Sequence, residues 1–162
     1  MMNQTERQEK MALYGRAYEL LTAALERFPR EMWQYRSAVD DWTIHEIVVH
    51  ITDSEANSYV RCRRFMAEPG ETLMAYDENQ WAKSLNYHAL DVDTAVSLFK
   101  WLRQSSYELI QTAPDGVWQN IAYHPESGQM TFDDWLETYS RHVPAHIAQM
   151  ERIYAAWEQA QK

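Results

Sequence analysis

His142 and His146 interrupt a stripe that is otherwise apolar: Phe132, Trp135, Leu136, Tyr139, His142, Val143, His146, Ile147, Met150, Ile153, Tyr154 and Trp157. Steps of one and three residues are the period of one face of a helix packed into a core. Burying two imidazoles in such a face costs free energy unless their nitrogens find partners. At i and i+4 the two rings project side by side, and neutral imidazole is a good metal ligand, so a metal ion is the partner that suits this spacing best. Two ligands are rarely enough, and a third is expected elsewhere in the chain.

Four histidines remain: His45, His50, His88 and His124. His50 lies about 60° around a predicted helix from Ile47, on the flank of that helix's apolar stripe. The same flank carries Ser54, Asn57 and Arg61. This polar strip is either one wall of a pocket or a solvated edge. The run His45-Glu46-Ile47-Val48-Val49-His50 nearly reads as the zinc-protease signature but has one residue too many. At i and i+5 the rings diverge by about 140°, so they cannot share an ion on a regular helix. A ferritin-like di-iron site would need Glu-x-x-His pairs, and the sequence has none.

The elements that would position these groups are four amphipathic helices. The first is predicted from about Thr5 to Phe28, ended by Pro29. The second begins near Asp41 or Thr43, either of which can cap it, and runs to about Ala67 before Pro69-Gly70. The third starts near Asp91 or Asp93 and stops at Pro114-Asp115-Gly116. The fourth carries the histidine pair from its cap at Thr131 to about Ala160, with Asp133 and Asp134 in the first turn. Four such helices make an all-α bundle. The connection from Glu68 to Leu90 is long enough to cross the whole bundle, which lets helices two and three run parallel. A short hairpin is expected around His124-Pro125-Glu126-Ser127-Gly128.

At 162 residues the chain reads as one domain, 1–162, and its 46% hydrophobic content is that of a folded protein. Only 4 Gly and 5 Pro argue against a sandwich or barrel of many tight turns. A net charge of −9 with no basic stripe disfavours nucleic acid as a partner. The run Arg61, Arg63, Arg64 is expected to cap a helix C-terminus. The single cysteine, Cys62, excludes an internal disulfide, and no run of about 18 apolar residues suggests a membrane span. With a polar N-terminus lacking a signal-peptide pattern, the expectation is a cytoplasmic protein.

Two segments carry a wider resemblance. Trp42-Thr43-Ile44-His45-Glu46-Ile47-Val48-Val49-His50-Ile51 resembles the first motif of the DinB/YfiT-like superfamily of four-helix metal-binding proteins. Thr131-Phe132-Asp133-Asp134-Trp135-Leu136, followed by His142-Val143-Pro144-Ala145-His146-Ile147-Ala148-Gln149, resembles its closing motif. The resemblance implies a bundle running up-down-down-up, with the long second connection crossing over. It implies His50, His142 and His146 as the ligands of one divalent ion per chain, nickel or zinc, with positions open for water. Relatives in this superfamily include S-transferases that use low-molecular-weight thiols, a maleylpyruvate isomerase and proteins described as metal-dependent hydrolases. The resemblance therefore implies a small-molecule substrate and a homodimer. The flank Ser54, Asn57 and Arg61 would position an anionic substrate. A metal-binding stress-response module without turnover and a metal-free bundle are the competing readings.

Other residues keep two readings each. Glu46, one turn before His50, either orients that ring as an acceptor or is a carboxylate favoured by a helix N-terminus. Glu55, in the middle of the second helix's apolar stripe, either pairs with a buried Tyr or Arg or marks a subunit contact. Tyr139, a turn before His142, lines the pocket or belongs to the core. Pro144 cannot donate to the Ser140 carbonyl, so a bend or bulge is expected there. His124 is expected to be a solvated loop residue.

Overall fold

The first predicted helix is two. A computed structural model describes residues 2–38 and 41–162, and in it α1 (Gln4–Gly15) ends one residue before α2 (Ala17–Leu25) begins. The break falls at Arg16, just after Gly15, against which the ring of Tyr107 packs. A Cβ on residue 15 would lie 2.6 Å from that ring, so the close approach needs glycine.

The remaining long helices follow their capping signals. α3 (Ile44–Ala67) starts at Thr43, whose side chain accepts from the Glu46 N–H while the Glu46 carboxylate accepts from the Thr43 N–H. α5 (Val92–Gln111) is capped by Asp91, and α6 (Phe132–Ala160) by a second capping box between Thr131 and Asp134. Asp77 caps a short helix that the periodicity did not suggest, α4 (Glu78–Ser84), within the connection between α3 and α5. The hairpin is present as β1 (Ile121–His124) and β2 (Gly128–Thr131), antiparallel with Ile121 opposite Thr131. The start of the α3–α5 connection joins it, with Leu73 N–H donating to Tyr123 O.

Side-chain pairings give the helix directions. Along α3 and α5, Thr52 bonds the Ala95 carbonyl and Arg63 bonds Ser105 and Ser106, so both helices run the same way. Against α6 the order reverses, with Arg61 meeting Tyr139 and His50 meeting His146. α1 and α2 run with α6, from Arg7–Asp133 at one end to Arg27–Glu151 at the other. The bundle is therefore up-down-down-up with a crossover between its second and third long helices.

Two apolar clusters fill it. One holds Leu21, Met32, Ile44, Ile47, Ile51, Phe99, Val143 and Met150; the other holds Phe65, Trp118, Phe132, Trp135 and Leu136. Along α3 the first ends at Ile51 and the second starts at Cys62, and buried Glu55 and Ser58 lie between them. Glu55 has the buried-pair fate rather than the subunit-contact one. Its Oε2 accepts from Arg103 Nη2 at 2.5 Å and its Oε1 from the Tyr14 hydroxyl at 2.8 Å. Burial pushes its carboxyl up, and the Arg103 guanidinium and Tyr14 hydroxyl oppose that push.

α6 passes through Pro144 as unbroken α-helix, with no bulge. The carbonyl of Ser140 loses one donor, and the neighbouring turns hold the segment in place. Arg64 lies in the last turn of α3, as expected of a helix C-terminus, and all three arginines also staple elements together. Arg61 reaches the Met74 carbonyl, Arg63 reaches α5, and Arg64 reaches the Thr72 carbonyl. No helix is long and apolar enough to cross a membrane among the described residues.

Candidate metal centre

Three imidazoles converge from two helices. One ring nitrogen each from His50, His142 and His146 can be chosen so that all lie within 4.8 Å of one another. The rings of His142 and His146 meet edge to face with centroids 4.6 Å apart, and His50 lies 4.9 Å from His146 and 5.3 Å from His142. α6 brings its pair together through the i, i+4 spacing alone. His50 reaches them because α3 packs antiparallel against that face.

The nitrogens are arranged for a ligand. Nε2 of His142 and Nε2 of His146 face each other at 3.2 Å. Two bonds of about 2.0–2.1 Å to a shared ion put donor atoms roughly 3 Å apart. Gln149 Oε1 lies 2.9 Å from His146 Nδ1, so that nitrogen carries the proton and Nε2 keeps its lone pair. Among the described residues, His50 has no hydrogen bond at either nitrogen. Its Nδ1 is buried without a partner, and its Nε2 is 3.7 Å from Glu78 Oε2, beyond hydrogen-bond range. The ring is 1% exposed and packs on Trp42 at 4.6 Å. An imidazole kept dry and unbonded costs free energy that a metal ion would recover.

The three rings are also held neutral, the form that ligates. Burial pushes His50 down to about 3, with His146 adding to the effect. Burial likewise lowers His142 and His146. Each folded value lies below the unfolded one, so on acidification the unfolded chain takes up protons first. Stability from these rings is complete above about pH 6.5 and is lost as the pH falls toward about 3. We expect the melting temperature of chelator-treated protein to fall between pH 6.5 and 5, above the range of most carboxylates. His50→Asn should flatten that slope. A slope equal to that of wild type would contradict it.

The other candidate residues separate. Tyr139 lies beside the cluster, 6.1 Å from His142 between ring centroids, with its hydroxyl accepting from Arg61 Nη1 at 2.9 Å. Ser54 and Asn57 are buried on the same face of α3, with the Ser54 hydroxyl near the phenols of Tyr76 and Tyr139. Arg61 does not face the imidazoles. Its Nη2 is held by the Met74 carbonyl at 2.5 Å and by His124 Nε2 at 3.2 Å. His124 is accordingly not a free loop residue, and its Nδ1 also accepts from the Glu126 N–H.

Glu46 departs from its expected role beside His50. Burial works to raise its pKa, but its bonds to Thr43 and to the Arg36 guanidinium win and lower it. Both its oxygens accept from Arg36 Nη2, at 2.7 and 2.8 Å, so no lone pair is spent on the ring. The i, i+4 spacing to His50 concealed this because the N3 position of a capping box turns the carboxylate back toward the helix start. Glu46→Ala should cost about 1–2 kcal/mol of stability in urea unfolding and leave metal content unchanged. A loss of metal would restore the orienting role. Two neighbours of the cluster were not singled out from sequence: Gln149, within the trailing Ile-x-Gln, and Glu78. The cleft at the cluster is about 220 Å³ and is lined by Asp41, Trp42, Glu78, Asn79, His146 and Gln149.

Comparisons with known proteins agree with this architecture. The profile of the DinB superfamily matches residues 13–150. A protein of Oceanobacillus iheyensis bearing the name "Putative metal-dependent hydrolase" is 28% identical over 119 residues, which cover 74% of this chain and 67% of that one. A Bacillus mycoides protein with the same kind of name is 31% identical over 71% of this chain and 68% of its own. This chain thus spans about two thirds of the length of those relatives. The structure of YfiT from Bacillus subtilis, described as a probable metal-dependent hydrolase with an unusual four-helix bundle topology, superposes with a TM-score of 0.87. Its identity is 22%, over 94% of this chain and 88% of YfiT. A mycothiol-dependent maleylpyruvate isomerase superposes with a TM-score of 0.72 at 12% identity, over 89% of this chain and 60% of the isomerase.

Proposed function

This chain belongs to the DinB superfamily, and from that premise we propose that it is a metal-dependent enzyme in which His50, His142 and His146 hold one divalent ion, nickel or zinc. The observation that carries this reading is the buried, hydrogen-bond-free ring of His50 directed at two neutral imidazoles from α6. The reaction proposed is transfer of a low-molecular-weight thiol to a small electrophile. A structurally similar isomerase is mycothiol-dependent by its description, which supports a thiol as co-substrate. Hydrolysis is the second reading, favoured by the names of the sequence relatives. When bound, such an ion acidifies a thiol or water and polarises an electrophile.

The chain's own residues would do the rest. Gln149 holds His146 in the tautomer that presents Nε2. Trp42 covers His50 and keeps water from that ring, which preserves its neutral, ligating form. Tyr139 and Ser54 bring hydroxyls to the wall beside His142, where they can orient a polar group of the substrate. Arg61 fixes the Tyr139 hydroxyl and thereby the position of that wall.

The test is metal analysis of untagged protein, followed by turnover with nickel or zinc restored. Bacillithiol-like, mycothiol-like and simpler thiols should be screened against small electrophiles, with ester and amide hydrolysis in parallel. Stoichiometric metal and thiol consumption are expected. Metal binding without turnover in either assay would make this a metal-binding module rather than an enzyme. Failure to bind nickel or zinc would overturn the whole reading.

A further inference from the structure

Arg61 is a half-buried cation that pairs with no carboxylate among the described residues. Its Nη1 donates to the Tyr139 hydroxyl, and its Nη2 faces the Met74 carbonyl and His124 Nε2. All three are neutral groups, since burial and Arg61 itself hold the His124 imidazole below its ordinary pKa. The Nε of Arg61 is buried and bonds nothing. His124 is short of lone pairs as well. A neutral imidazole has one acceptor nitrogen, yet Nδ1 faces the N–H groups of Glu126 and Ser127 while Nε2 faces the guanidinium. Donors therefore outnumber acceptors around Arg61. Glu55, buried on the same helix, is taken up by Arg103 and Tyr14, and Glu126 acts on His124 without an ion pair to Arg61.

A cavity of about 390 Å³ lies against this cation, and its walls include Asn57, Val60, Arg61, Arg64, Leu73 and Met74. No acidic side chain lines it, in a chain whose net charge is −9. Val60 and Met74 are 53% and 59% exposed. Buried charges are ordinarily paired, a guanidinium binds a carboxylate through charge-assisted hydrogen bonds, and small-molecule pockets join apolar walls to a few polar groups. We propose that this cavity binds a small monocarboxylate with a short aliphatic body. The carboxylate supplies the acceptor that Arg61 lacks, Arg64 adds positive charge, and the aliphatic part lies against Val60, Leu73 and Met74. The site shares no lining residue with the histidine cleft. Arg61 follows His50 by eleven residues of α3, about 16 Å along the helix axis. The inference is thus independent of the metal reading.

Hexanoate, acetate, inorganic phosphate and hexanamide would be titrated into isotope-labelled protein, as purified and after chelator treatment, with amide NMR shifts as the readout. Hexanoate should move the amides of residues 57–64 and 72–74 alike in both samples. It should bind about 10-fold or more tightly than acetate or phosphate, which lack the aliphatic body. Hexanamide, equally long but uncharged, should bind about 10-fold more weakly, and Arg61→Met should cost hexanoate a similar factor. Val60→Asp gives the cavity a carboxylate of its own from an exposed position and should abolish hexanoate binding. That variant decides the matter if Arg61→Met does not fold. Equal affinity for hexanoate and hexanamide would overturn the inference, because charge would then play no part. Acetate or phosphate binding as tightly as hexanoate would overturn the aliphatic class. Hexanoate binding unchanged in Val60→Asp, shifts confined to the histidine cleft, or no saturable shift at all would each overturn the site.

Discussion

His146→Ala is expected to reduce bound metal from about one ion per chain to a trace after dialysis against a weak chelator. Loss of the groups that merely orient a metal ligand typically costs 10–100-fold in affinity, so loss of one of three imidazoles should exceed about 100-fold. The substitution is informative because His146 is partly exposed and lines the cleft, whereas His50 is buried among core residues. The fold should survive, since Val143, Met150 and Ile153 keep α6 seated in the apolar cluster. The same variant should lose the thermal stabilisation that metal confers. Free ligand at 100 times its dissociation constant stabilises by about 2.7 kcal/mol. A wild type that gains melting temperature on zinc addition, beside a variant that does not, would place the ion at this cluster. Equal stoichiometry in the two proteins would refute the ligand assignment.

Glu55→Ala is expected to produce the largest loss of stability, about 3–5 kcal/mol, because it strands a guanidinium that is 2% exposed. Arg103 Nη1 would keep the Tyr14 and Tyr139 carbonyls at 3.3 and 3.2 Å, but no carboxylate would remain to balance its charge. A domain of ordinary stability holds only about 5–15 kcal/mol, so a large part of the total is at stake. Arg103→Met should be milder below neutrality. The carboxyl left behind can accept a proton, a form that burial already favours. The double variant Glu55→Leu/Arg103→Met should recover much of the loss, since an apolar pair of similar volume removes both desolvation penalties. Urea unfolding of the four proteins as a double-mutant cycle measures the coupling. A single-variant loss under about 1 kcal/mol would mean that water reaches the pair.

These two centres show different degrees of legibility. The pairing of His142 with His146 could be read from spacing, because i and i+4 neighbours meet on any helix whatever surrounds it. The helix starts were legible for the same reason: Thr43, Asp91 and Thr131 satisfy N–H groups within three residues of themselves. Glu55 was visible as an anomaly in an apolar stripe, but its partner Arg103 lies 48 residues away on another helix. No local period connects them. Glu46 and Arg61 misled because a helical wheel gives the direction of a side chain, not the neighbour that captures it. Arg36 took the first, and the hairpin and crossover took the second.

By itself, then, the sequence determined the four amphipathic faces, their ends, the imidazole pair and, through motif resemblance, the family and its expected third histidine. Only the tertiary structure decided that α1 and α2 are separate, that His50 arrives with no hydrogen bond of its own, and that α4 sets Glu78 beside it. Helical periodicity records which residues share a face, because that follows from 100° of rotation per residue. Which faces meet, and at what height, depends on the packing of the whole bundle and on where its crossover lands. Those are sums over many distant contacts that no single segment contains.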